Sequence, residues 1–132
     1  MTDNCTPVLS AEDLVRLAQA HPATACGQCA AIRAPGWEAL PGSFDRALLE
    51  RTGTLRHPEV EDPTLEEFHP QGTNAWSPQA PVAPAYFPYN RCEVWQCTRC
   101  RRPFLRYTEY GGYYVEERIR ELHAERVVDA AS

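Results

Sequence analysis

Three observations predict an α+β fold, a small antiparallel sheet with two short helices in its N-terminal half. Two stretches before residue 52 each carry a serine cap followed by apolar residues at helical spacing. The last third holds aromatic and β-branched runs broken by a Gly-Gly pair. Two Cys-x-x-Cys pairs flank 67 intervening residues. With 132 residues, 43% of them apolar and 23% charged, the chain suffices for one domain with a modest core. Twelve prolines and seven glycines assign much of the rest to turns and extended loops.

Residues 1–9 are expected to be a disordered tail and 10–132 a single domain. Ser10 caps a helix over 11–20, with Asp13 completing a capping box and Leu14, Leu17 and Ala18 on one face. After Cys26-Gly27-Gln28-Cys29, the residues on either side of Pro35-Gly36 read as a short hairpin. Ser43 caps the second predicted helix, 44–51, which Gly53 would stop. Residues 54–90 read as an insertion, first acidic and then proline-rich. Trp76, Tyr86, Phe87 and Tyr89 mark its second half as an ordered strap packed on the domain.

Cys92 to Gln96 reads as a strand leading into Cys97-Thr98-Arg99-Cys100. Phe104–Tyr110 and the segment from Tyr113 onward form a hairpin about Gly111-Gly112. Pairing outward from that turn opposes Arg106 to Glu117 and Phe104 to Ile119. Residues 118–126 fit continued strand followed by a turn.

Cys26, Cys29, Cys97 and Cys100 carry the strongest chemical signal. Two residues between cysteines let one tight turn aim both sulfurs at one ion, and two such turns make a tetrahedral site. Each pair sits at a strand or hairpin entrance. The arrangement resembles the zinc-ribbon and rubredoxin-like families over residues 24–40 and 91–119. That resemblance implies a structural Zn²⁺ held by the four thiolates in a ribbon-like sheet, and iron suits the same donors. In those families glycine often follows the second cysteine of a knuckle, where this chain has Ala30 and Arg101. Cys92 and His21 lie near enough in sequence to substitute for a ligand, and Cys5 reads as a thiol with no role.

A four-cysteine site is coordinatively closed, and no phosphate loop, nucleophile elbow or His-Glu-x-x-His element accompanies it. The chain is therefore read as a non-enzymatic metal-stabilised module that binds a protein partner, with Tyr107 and Tyr114 on one hairpin face as anchors. The alternative is a nucleic-acid-binding ribbon. Residues 91–106 hold five arginines against one glutamate, and Arg99, Arg101 and Arg102 surround the second knuckle beside Phe104 and Tyr107. A net charge of −5 weighs against it. The acidic start and the prolines within the longest uncharged stretch predict neither a secretory signal nor a membrane span. Reduced paired cysteines then suit the cytoplasm, and arginine without lysine suits a GC-rich bacterial genome.

Overall fold

The last third of the chain forms an antiparallel meander, and the first half supplies a strand to each of its edges. The computed structural model describes residues 6–20 and 26–130. Its strands are β1 (Glu38–Ala39), β2 (Leu49–Thr54), β3 (Glu93–Cys97), β4 (Pro103–Tyr110) and β5 (Val115–Glu121). They form one five-stranded sheet in the order β1-β5-β4-β3-β2, antiparallel throughout. The helix α1 (Ala11–Gln19) packs on one face, and among the described residues it is the only helix of seven or more residues.

α1 forms as its capping residues dictate. The Ser10 hydroxyl accepts from the Asp13 N–H at 3.1 Å, and the Asp13 carboxylate accepts from the Ser10 N–H at 2.9 Å. These hydrogen bonds, led by the Ser10 backbone and joined by Arg16, hold the Asp13 carboxyl below its ordinary pKa.

The second predicted helix is not present. Residues 46–48 make a single 3₁₀ turn, capped by Asp45 rather than Ser43, and the chain extends at Leu49 into β2. The reason lies outside the segment. β3 has an open edge of N–H and C=O groups, and pairing Leu49 with Cys97 satisfies it while burying Leu49. Gly53 stops no helix. It lies past a shift in the β2–β3 register, and a Cβ there would stand 2.6 Å from the Leu9 side chain. The fold is thus a β-sheet with one small helix rather than a sheet with two. The hairpin expected about Pro35-Gly36 is also replaced, since Glu38 and Ala39 pair with Ile119 and Arg118 of β5.

The tyrosine-rich hairpin forms, shifted by two residues. Arg106 pairs with Ile119 and Tyr110 with Val115, so residues 111–114 form a four-residue loop in place of a two-residue turn. A shift of two leaves every side chain on its predicted face. β5 continues to Glu121, followed by a 3₁₀ turn at Ala124–Arg126.

The sheet is buried on both faces. Leu105 and Val94 point toward Leu14, Trp37, Val82 and Tyr89, whereas Phe104 and Ile119 point toward Ile32, Leu40, Phe44 and Leu49. Ala80, Val82 and Ala83 of the proline-rich strap are buried in the first layer, and Val82 bridges to Val127. Gly36 lets the strap approach, because a Cβ there would lie 2.3 Å from the Trp76 carbonyl oxygen.

Arg120 locks this face together. Its side chain is fully buried and donates to the carbonyls of Pro35 (3.3 Å), Pro78 (3.2 Å) and Ala80 (2.7 Å) and to the Tyr89 hydroxyl. It ties β5, the strap and the segment before β1 through neutral oxygens alone.

Residues 1–5 of the expected tail lie outside the described residues, and Pro7–Leu9 runs beside the end of β2. Thr54 donates to the Pro7 carbonyl and Leu9 to the Thr54 carbonyl, each at 2.9 Å. Among the described residues no helix is long and apolar enough to cross a membrane.

Candidate metal centre

The sheet brings the two knuckles together. Cys97 is the last residue of β3 and opposes Leu49, the first of β2. The 3₁₀ turn before Leu49 places the Leu48 carbonyl over the second knuckle, where it accepts from the Thr98 N–H at 2.9 Å and the Thr98 hydroxyl at 3.1 Å. It also accepts from the Gln28 side chain at 3.2 Å, which docks the first knuckle on the second. Gln28 donates further to the Thr98 hydroxyl (2.6 Å) and the Cys97 sulfur (3.6 Å).

Cys26, Cys29, Cys97 and Cys100 then converge, with all four sulfurs within 4.8 Å of one another. Cys26 lies 3.9 Å from Cys29 and 3.6 Å from Cys97, and Cys29 lies 3.7 Å from Cys100. A tetrahedral zinc with Zn–S bonds of ~2.3 Å places its sulfurs about 3.8 Å apart, so the donor set fits an ion of that kind. The thiols are free, with Cys29 and Cys97 buried and Cys26 and Cys100 half-buried. Four cysteines that can hold a metal are therefore assembled from positions 71 residues apart.

The cysteines differ in acidity. The Cys29 backbone N–H, opposed by burial, leads in drawing the Cys26 thiol down to about 6. Burial pushes Cys29 up to about 12, against the pull of the Cys26 backbone and of the Arg102 guanidinium. Arg102 also pairs with Glu121 at 3.0 Å and lies over the Phe104 ring. A cation fixed beside Cys29 counters the negative charge of a thiolate cluster. Gln28 was not singled out from the sequence. Its position between two ligating cysteines was the available signal.

Arg101 holds the left-handed backbone conformation that glycine adopts most readily, with φ at 67°. Its guanidinium pairs with Glu50 at 2.6 Å and donates to Gln96 at 2.9 Å. Arg99 is exposed. Cys92 is not part of the centre. It is fully buried with Leu14, Trp37 and Leu55, its sulfur donates to the Pro88 carbonyl at 3.3 Å, and burial raises its pKa well above the ordinary value. His21 and Cys5 lie outside the described residues.

The structure separates the two predicted anchors. Tyr107 packs edge-on against Trp37, with ring centroids 4.8 Å apart, and lies near Phe87. Its hydroxyl accepts from Arg118 and donates to Glu109, and burial raises its pKa. Tyr114 is exposed in the four-residue loop, next to Tyr110, Tyr113 and Val115, which are exposed as well. The sequence reading singled out none of these three, because pairing across a two-residue turn set Tyr113 within a strand and assigned Tyr110 and Val115 other cross-strand partners.

No known family model, curated protein or solved structure matches this chain.

Proposed function

We propose that this protein is a non-enzymatic binding module, locked by one structural zinc at Cys26, Cys29, Cys97 and Cys100, that offers its hairpin tip to a protein partner. The observation that carries the reading is the four-sulfur cluster between the two halves of the chain. With four protein donors a tetrahedral ion has no position left for a reacting water, so its contribution is a cross-link. Metal binding of this kind is folding free energy, which suits a small sheet assembled from distant segments. The Gln28 amide, which donates to the Cys97 sulfur, supports a charged thiolate centre. Reduced thiols in this role suit the cytoplasm.

The hairpin tip supports the partner half of the reading. Tyr110 at the end of β4 is 76% exposed, Val115 opposite it at the start of β5 is 67% exposed, and Tyr113 in the loop between them is fully exposed. Tyrosine is a favoured interface anchor, and an apolar tip of this kind gains from being covered. The nucleic-acid reading receives less support, because Arg101, Arg102 and Arg106 are paired with Glu50, Glu121 and Glu117.

Elemental analysis of the natively purified protein, with thiols counted before and after chelation, tests the centre. One zinc per chain and four thiols released by the chelator are expected, whereas iron would change the ion and keep the centre. Absence of any metal would overturn the reading. Tyr113→Ser tests the tip, with partner binding lost and the melting temperature unchanged.

A further inference from the structure

A second site lies at the opposite end of β3 from the cysteines. There Arg56, Arg91 and Arg106 line a groove of about 500 Å³ together with Glu93, Tyr107 and Tyr110. In a chain of net charge −5 this groove keeps a surplus of positive charge. Arg51 neutralises Glu93 at 2.9 Å. Glu117 serves two arginines at once, Arg46 at 3.2 Å and Arg106 at 2.7 Å. Among the described residues no carboxylate lies within ion-pair distance of Arg56 or Arg91.

These cations are held in place by neutral groups. Arg56 donates to the carbonyls of His57, Val60 and Glu61, and Arg91 to that of Pro63 at 2.8 Å. Arg91 lies over the Phe87 ring and Arg106 over the Trp95 ring, 5.5 and 4.3 Å from the centroids. Two of their nitrogens, Arg91 Nε and Arg106 Nη1, are buried with no hydrogen-bond partner. A buried guanidinium N–H without an acceptor is costly, and the nearby ring faces offset part of that cost.

We infer that this groove binds a phosphate monoester of a small molecule. A phosphate monoester carries close to two negative charges and three acceptor oxygens, which suits several guanidinium groups better than a single carboxylate does. The groove volume falls in the range of small-molecule sites, larger than a bare anion requires. The exposed Tyr110 ring at its lip gives a flat surface for the rest of the ligand. The site is independent of the metal, and it shares Tyr110 with the hairpin tip.

The test is a titration of the full chain, as purified with its metal, at constant ionic strength set with sodium chloride. Inorganic phosphate, adenosine monophosphate and adenosine are the three probes, read by the NMR signals of the arginine Nε–H groups. Saturable shifts at Arg91 and Arg106 are expected with phosphate and with the nucleotide, but not with adenosine. Tighter binding of the nucleotide assigns a role to Tyr110, and equal binding also supports the site, with the phosphoryl group as the whole recognised feature. Arg56→Gln, on an exposed loop, weakens binding about tenfold, the loss of one charge-assisted contact. Glu117→Gln, which frees Arg106 from its carboxylate, strengthens it. Arg99→Gln, at the far end of the sheet, changes nothing. The inference is overturned if phosphate and the nucleotide give no saturable shift, or if Arg56→Gln and Arg99→Gln bind alike.

Discussion

Arg101 reaches Glu50 at 2.6 Å from a left-handed backbone, so the residue that closes the second knuckle also ties it to β2. The two roles separate by substitution. Glycine adopts φ 67° freely, whereas any other L-residue resists it by about 1 kcal/mol. Arg101→Gly and Arg101→Ala both lose the Glu50 contact, which is partly exposed and worth ~0.5 kcal/mol. Arg101→Gly is therefore expected to be about 1 kcal/mol more stable than Arg101→Ala in urea unfolding. Equal stabilities would refute a strained knuckle.

Cys97 and Cys92 are five residues apart and differ in kind. Cys97→Ser removes a donor from the cluster and is expected to lower both metal content and stability severely. Cys92→Ser places a hydroxyl in an apolar layer, so a loss of ~1–3 kcal/mol is expected at full metal content. Metal analysis beside a thermal melt distinguishes them, and loss of metal in Cys92→Ser would count against the assigned ligands.

Arg120→Met would strand the carbonyls of Pro35, Pro78 and Ala80 in an apolar setting. We expect a loss of about 3 kcal/mol or more. Arg120→Lys recovers little of it, since one ammonium cannot span the same oxygens. Urea melts of both variants check this, and wild-type stability in either would show that Arg120 is dispensable.

Burial raises the pKa of Glu117, but the hydrogen bond and charge of Arg106, with Arg46 behind it, outweigh that and leave it below the ordinary 4.5. A carboxyl lowered on folding adds stability above its unfolded value and loses it as pH falls through its folded value. The stability gap between wild type and Glu117→Gln should therefore be present at neutral pH and close below about pH 4.5. Its size is under about 1 kcal/mol, because the pair is partly exposed. Comparing the two proteins at each pH cancels any release of metal by acid. A gap that persists at low pH would contradict the assignment.

Some local signals in the sequence specify their structure, and others yield to distant partners. The Ser10–Asp13 box specifies α1 within four residues. The four cysteines were legible because their spacing is itself the constraint. Hairpin alternation gave the correct faces, but not the length of the loop, because residues 113 and 114 leave the ladder. Residues 44–51 carry a helical pattern and still extend, because the unpaired edge of β3 outweighs a weak local preference. The burial of Arg120 had no local sign at all, since its acceptors come from loops about 40 and 85 residues away.

The strand order has a consequence for how the chain is made. β1 and β2 are synthesised well before β3, β4 and β5, and apart from the bridge of Thr54 to Val8 their ladder partners are β5 and β3. A growing chain that has emerged only through residue 92 has no sheet for its first half to join. Cys26 and Cys29 must then wait as reduced thiols through the synthesis of 67 further residues before Cys97 arrives. Assembly is a late event dominated by long-range closure, which makes it slow, and during that interval the first half depends on a reducing environment and on its own acidic charge to stay soluble.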